Sequence, residues 1–287
     1  MQKIEIKRFR PYMLDDMFQV FEDSFSDYSV PFKLTKEQFV RKFVQKLRLD
    51  FDLSLGAFDE DYLVGFVFSA VNMYEGSLAA YNGGTGVRPS YRGNEITQKI
   101  YDVLLPKLEE KKINKCVLEV LVENEKAIKV YQKIGFEITK FFHCFKLDAK
   151  KFNPNVNNAS VTIIEVREPD WFVYEQFIDI RPSFLDSRQM VNQNLDNEKV
   201  IEARMDRKCV GYAIFQPRIG RISHVSVSAE MRGKKIGEML IAHAFEVSQS
   251  KSLTVVNINK EAEPVVKFLK RVGFENQLDQ YEMMLKL

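Results

Sequence analysis

The chain has 287 residues, 45% hydrophobic and 29% charged, which excludes a disordered protein and suits one or two domains of roughly 100–200 residues. The 42 lysines and arginines nearly balance the 40 acidic residues, for a net charge of +2, which excludes nucleic-acid binding by bulk cationic attraction. Cys116, Cys144 and Cys209 are scattered and the three histidines form no close pair, so no disulfide framework or metal site is expected and a reducing cytoplasmic setting fits.

In chain order, alternation predicts a strand at 4–9. Met13, Leu14, Met17, Val20, Phe21 and Phe25 fall at helical spacing and predict a helix over 13–26. Phe39, Phe43 and Leu47 predict another over 35–48, with Thr35 as its N-cap. Strand-like runs at 52–58 and 62–73 flank a turn at Phe58-Asp59-Glu60-Asp61. A strand at 78–87, an amphipathic helix at 94–111, a buried strand at 116–122, a helix at 124–134 and a strand at 141–147 follow. No run approaches the ~18 apolar residues of a spanning helix, and the charged N-terminal stretch lacks the apolar core of a signal peptide, so no membrane association is expected.

The same order then recurs. Strands are predicted at 160–166, 221–228, 252–259 and 280–287, a hairpin at 199–215, and helical segments at 170–195, 234–250 and 261–271. Sequence matches confirm a repeat: KVYQKIGFE (129–137) against KFLKRVGFE (267–275), VRPSYRG (87–93) against VSAEMRG (227–233), and VGFVF (64–68) against VGYAI (210–214). Three matches in one order make a duplicated domain. The Asn-rich stretch 148–160 has turn composition. The expected domains are therefore 1–150 and 160–287, joined by a linker at 151–159.

In both copies a strand runs through an Arg-Gly loop into a helix. Unpaired N–H groups and the helix dipole favour an anion there. In the second copy this loop reads MRGKKIGEML (231–240), with Arg232, Gly233, Lys234, Lys235, Ile236 and Gly237. It resembles the Q/R-x-x-G-x-G/A loop of the GNAT-superfamily N-acetyltransferases, with Lys235 where glycine is usual. YRGNEITQKI (91–100) is a looser version, with Arg92, Gly93, Asn94, Glu95, Ile96 and Thr97. NEKAIKVYQKIGFE (124–137) is similar to the family's N-x-x-A…Y-x-x-x-G-F helix. The resemblance covers nearly the whole chain as two tandem GNAT-like α/β domains, each a mixed, mostly antiparallel twisted sheet flanked by helices.

The resemblance implies acetyl-CoA as cofactor and a primary amine of a small molecule or peptide as acceptor, attacking directly in a ternary complex without a metal. It implies that backbone groups near Gly86 and Val87, and near Val227 in the second copy, meet the pantetheine arm, and that the two loops wrap the pyrophosphate. Asn124 and Ala127 would meet the cofactor, and Tyr131 would protonate the departing thiolate. A phenol is a suitable donor because its ordinary pKa of about 10 exceeds a thiol's of about 8.5. Glu119, on the strand before the tyrosine helix, is the candidate base; water or a solvent-facing role for Glu119 are the alternatives. Asp27 and Tyr28 are candidate contacts for the acceptor.

The copies differ. Leu269 stands at the position of Tyr131 and Ala262 at that of Asn124. The second copy thus carries the better loop, and the first carries the phenol and asparagine; the first is favoured as the catalytic copy. His224, on the second copy's strand, reads as a satisfied buried histidine, or as a base if that copy is active. The rival reading is a non-catalytic acyl-CoA-binding or interaction protein with decayed sites, which Glu95 beside a pyrophosphate favours. Oligomeric state is not readable from the sequence.

Overall fold

The computed structural model describes residues 3–27, 33–152, 156 and 158–287. The chain forms two compact units, Met1–Thr139 with Tyr281–Leu287, and Lys140–Gln280. Each folded body takes in residues from both of the expected domains. The end of each repeat belongs to the unit built mainly from the other. Both last strands follow a Gly-Phe-Glu turn and carry apolar residues, so local pattern alone does not specify which sheet edge each joins.

In the first unit the strands are β1 (Ile4–Arg8), β2 (Leu55–Asp59), β3 (Tyr62–Tyr74), β4 (Ser77–Val87) and β5 (Lys115–Leu121). They lie in that order, and the Tyr281–Leu287 end of the chain's last strand completes the edge next to β5. β1 to β4 pair antiparallel, whereas β4 and β5 run parallel. Helix α1 (Leu14–Ser24) opens on Asp15 and Asp16, which suit its positive N-terminal dipole. Helix α2 (Lys36–Phe39) starts at the expected cap, Thr35, whose hydroxyl accepts from Gln38 N–H while the Gln38 side chain bonds back to Thr35 N–H. It runs into a π-helical stretch, Val40–Lys46. These elements bury Phe21, Phe39 and Phe43 against Phe9, Phe66 and Phe68, with neighbouring ring centroids 4.2–6.3 Å apart. On the opposite face, α3 (Ile96–Glu110) and α4 (Glu125–Ile134) cover Ala80, Cys116, Leu118, Val120, Met283 and Leu285.

In the second unit the Lys140–Asp148 part of β6 (Glu137–Asp148) is followed across the sheet by β11, β10, β9, β8 and β7. These are β7 (Thr162–Val166), β8 (Lys199–Met205), β9 (Lys208–Gln216), β10 (Arg221–Val227) and β11 (Ser252–Asn259). Here β10 and β11 run parallel, and β11 with β6, β10 with β9, β9 with β8 and β8 with β7 run antiparallel. The predicted helix over 170–195 is broken. It becomes α5 (Trp171–Tyr174), two 3₁₀ turns and α6 (Arg188–Asn192). Pro182 lacks an N–H and restricts Arg181, and Asp170 and Ser187 each cap a new start. Helices α7 (Ile236–Val247) and α8 (Glu263–Val272) lie on one face, and the last strand, β12 (Glu275–Lys286), begins in this unit.

Candidate functional site

The site begins where β4 and β5 part. Their parallel pairing runs from Ala79↔Lys115 to Asn82↔Leu118 and stops, although β4 continues to Val87 and β5 to Leu121. At that point β4 bulges: Phe68 pairs with Gly84 and Ser69 with Asn82, so Gly83 is the extra residue. A bulge bends its strand, and a gap opens between the two strand ends. Gly83, Gly84, Thr85, Val87 and Glu119 around it are half-exposed.

Backbone alternation fixes which groups face the gap. Arg88 N–H donates to Val64 O on β3 at 2.9 Å. By the antiparallel pattern, Val87 then turns its own N–H and carbonyl away from β3. Arg92 Nε meets that carbonyl at 3.2 Å. Gly86 has another role. It pairs with Phe66, and a Cβ there would lie 2.6 Å from the Phe66 ring and 2.7 Å from Ser24 Cβ, so packing requires the glycine.

The loop after β4 holds Gly93 at φ +82° and Glu95 at φ +56°. Nothing lies within 4 Å of where a Gly93 Cβ would be. The first helical bond of α3 is Lys99 N–H to Glu95 O, 3.0 Å, so the N–H groups of Ile96 and Thr97 precede the ladder. This open, positively polarised cradle fits a pyrophosphate. Asn94 braces it through Nδ2 to Tyr91 O at 3.1 Å. The Glu95 carboxylate pairs with Lys133 on α4, which holds it below the usual carboxylate range by hydrogen bonding and then by charge. Its charge is therefore countered beside the cradle.

Arg92 binds Asp27 with both terminal nitrogens, at 2.6 and 2.8 Å, and donates to Ser24 O at 2.9 Å. Hydrogen bonding to Arg92 holds the Asp27 carboxyl below its ordinary range. Asp27 thus anchors the loop to the end of α1. Tyr28 lies outside the described residues.

The two proton-handling candidates fall on opposite faces of the sheet. Leu118 and Val120 point into the core under α3 and α4, so Glu119 points the other way. There it accepts a hydrogen bond from the Tyr81 hydroxyl. Tyr131 lies on the α3/α4 face, buried edge-on against Phe136 with centroids 5.7 Å apart. It neighbours Tyr101, whose phenol is pushed far up by burial and lies 2.8 Å from Asn82 Nδ2. Asn124 caps α4, accepting from Ala127 N–H at 3.1 Å, which places both residues at the helix start.

The second unit repeats the frame. Pairing of β10 with β11 stops at Ile222↔Val255, with a bulge at Ser223. Ser228 N–H donates to Val210 O, and Arg232 Nε meets Val227 O at 3.2 Å. Arg232 pairs with Asp179, 3.0 Å, the counterpart of Arg92 with Asp27. Gly233 (φ +80°) and Lys235 (φ +64°) copy the loop, with Lys234 exposed between them and Ile236 buried as the first helical residue.

The side chains around the frame differ. A Cβ on Gly237 would lie 2.8 Å from the Phe268 ring of α8, so this apparent phosphate-loop glycine accommodates an aromatic ring. The corresponding pair in the first unit is Thr97 and Val130, and Val130 is 39% exposed. Leu269 is fully buried. Val256 stands one residue past the last parallel pair, where Glu119 stands in the first unit. His224 is buried, with Nε2 2.6 Å from Asp186 O and Nδ1 3.2 Å from Tyr212 Oη; it is a satisfied core histidine. Arg221 and Asp186 form a buried ion pair beside it, 2.7 Å.

Residues 14–136 match the profile of the acetyltransferase (GNAT) family, and residues 172–284 match that of an acetyltransferase (GNAT) domain. The chain belongs to the GNAT acetyltransferase family. It is a tandem GNAT protein, and solved structures share this fold along its whole length. A GCN5-related N-acetyltransferase from Sphaerobacter thermophilus is 12% identical with a TM-score of 0.76, covering 99% of this chain and 95% of its own. A tandem GNAT protein from the clavulanic acid biosynthesis pathway is 12% identical with a TM-score of 0.74, covering 99% and 98%. A putative acetyltransferase from Pyrococcus horikoshii is 18% identical with a TM-score of 0.72, covering 100% and 90%. No curated protein matches the sequence significantly. Sequence reading misses Tyr81, Asp179 and Phe268, whose contacts with Glu119, Arg232 and Gly237 appear only in the structure. A faint signal exists for Asp179, since its partner Arg232 sits in a repeated Arg-Gly.

Proposed function

We propose that the first unit is an acetyl-CoA-dependent N-acetyltransferase for a primary amine of a small molecule or peptide. The observation that carries the reading is the β4/β5 gap, with an open anion cradle leading to it, Tyr131 on one face and Glu119–Tyr81 on the other. The N–H groups ahead of α3 and the open side of Gly93 would hold the pyrophosphate, and Val87 would offer backbone to the pantetheine. When bound there, acetyl-CoA supplies a thioester whose acetyl group passes to an unprotonated amine. Glu119 receives the proton that the acceptor nitrogen loses, and Tyr81 fixes that carboxylate. Tyr131 Oη delivers a proton to the leaving sulfur. Base and acid on opposite faces suit direct transfer in a ternary complex, because acceptor and cofactor approach from different sides.

For the second unit, Phe268 against Gly237, Leu269 and the buried Arg221–Asp186 pair favour a role without cofactor. Calorimetric titration of acetyl-CoA into the whole chain is expected to give one site. Tyr131→Phe is expected to keep that binding and lose about a hundred-fold or more in kcat, the usual scale for a positioned proton donor. Unchanged turnover in Tyr131→Phe would assign the proton to another group. Two equivalent sites would overturn the assignment to one unit, and no binding would leave a scaffold without transfer chemistry.

A further inference from the structure

The acceptor face of the gap has one wall that the reaction itself does not use. Leu47 follows the π-helical stretch Val40–Lys46, and its N–H closes the last wide turn on Lys42 O at 3.0 Å. Its side chain is packed so closely over the bulge residue Gly83 that a Cβ there would collide with Leu47 Cδ2. The same Cβ would lie 3.7 Å from the Tyr81 ring, and Tyr81 donates to Glu119. Leu47, Gly83, Tyr81 and Glu119 therefore share one face at the point where the strands part. Phe43, from the same π-helical stretch, sits 3.5 Å from the Cβ position of the next residue, Gly84. The second unit has no π-helical counterpart among its described residues, and its bulge residue is Ser223.

Given the proposed reaction, we propose that Leu47 sets acceptor specificity, admitting primary amines on an unbranched methylene chain and excluding amines branched at the adjacent carbon. An alkyl chain carrying an amine to Glu119 on this face would pass Gly83, over which Leu47, 5% exposed, is packed. A straight alkyl chain fits there. A branch beside nitrogen presses on Leu47, and an α-carboxylate would face the charge of Glu119. The class is the ω-amine, such as a lysine side chain, in preference to the α-amine of an amino acid. The π turn holds the wall: the wide turn sets where Leu47 leaves the helix, and π turns recur at functional sites.

The test compares two isomers, n-butylamine and sec-butylamine, as acceptors at saturating acetyl-CoA with the full chain. Wild type is expected to favour n-butylamine by about ten-fold or more in kcat/KM, the scale of one misplaced methyl group in a pocket. Leu47→Ala is expected to bring the ratio to within about three-fold by raising the rate with sec-butylamine. Leu47→Val, which removes less volume and is safer for the fold, is expected to give an intermediate ratio. A Leu47 that only packs the core would lower both rates together and leave the ratio alone, and that result overturns the proposal. Equal wild-type rates with the two isomers also overturn it while leaving amine acetylation standing. Failure of both amines in a chain that binds acetyl-CoA overturns the specificity role, which requires an unbranched alkylamine to be accepted.

Discussion

Tyr81 and His224 occupy comparable faces of the two units and have different surroundings. Tyr81 donates to Glu119, a half-exposed carboxylate where β4 and β5 part. His224 is enclosed, with both ring nitrogens bonded and Trp171 edge-on at 5.5 Å. Burial lowers its proton affinity below the ordinary value of 6.5. The neutral ring is therefore favoured by folding, and below about pH 6.5 the unfolded chain takes up a proton that the folded chain resists. This contribution to stability is full above that pH and is lost as pH falls towards the lowered native value. Thermal melts from pH 8 to pH 5 are expected to show a fall in Tm on the acid side, and His224→Gln is expected to flatten that part of the curve. A variant with the same acid slope as wild type would place the effect elsewhere.

At the scale of elements, the two strand–loop–helix segments have nearly the same backbone and different surroundings. Gly65 and Gly211, the glycines of the repeated Val-Gly pair, each let the first residue of a helix pack on the sheet: a Cβ would lie 2.8 Å from Ile96 Cγ2 and 3.3 Å from Ile236 Cγ2. The difference lies across the helices, where Thr97 and Val130 are replaced by Gly237 and Phe268. Gly237→Ala is expected to cost about 1–3 kcal/mol in urea unfolding, because the ring must move. Thr97→Ala is expected to stay within about 0.5 kcal/mol, as for a site away from such packing. Equal effects would show that the groove is filled alike in both units.

The strand and helix order was legible in the sequence because strand and helix periods differ, and the repeated Arg-Gly and Gly-Phe-Glu fixed the register of the duplication. The place of Glu119 on its strand was legible too. Its bond to Tyr81 was not, since a contact across strands depends on where β4 bulges. The purpose of Gly237 was hidden for a similar reason: a glycine that admits a phosphate and one that admits a ring look the same in one dimension. The break within 170–195 had a signal in Pro182, outweighed by the apolar spacing around it.

At the scale of the molecule, the last residues of the chain, Tyr281–Leu287, belong to the first unit. Met283 and Leu285 are buried in the first unit, and Glu282, fully buried, accepts from Tyr74 Oη at 2.6 Å and from Thr139 Oγ1 at 2.8 Å. Burial, with nearby carboxylates, holds the Tyr74 phenol protonated far above its ordinary range. A chain cut near residue 155 would leave both halves without a needed strand. Removing Tyr281–Leu287 is expected to destabilise the first unit by about 3–6 kcal/mol, from the loss of two buried apolar side chains. Denaturant unfolding of the intact chain and of this truncation would test it, and unchanged first-unit stability would refute the linkage.

The place of Tyr281–Leu287 in the first unit sets an order of events during synthesis. While the ribosome makes Lys140–Gln280, the first unit waits with the edge beside β5 unfilled. At about 5–20 residues per second that interval is on the order of ten seconds. An unfilled sheet edge is a template for pairing with other chains. The nascent protein therefore passes through a period of exposure that ends only when residues 281–287 emerge, and slow translation or ribosome stalling in the second repeat would lengthen it.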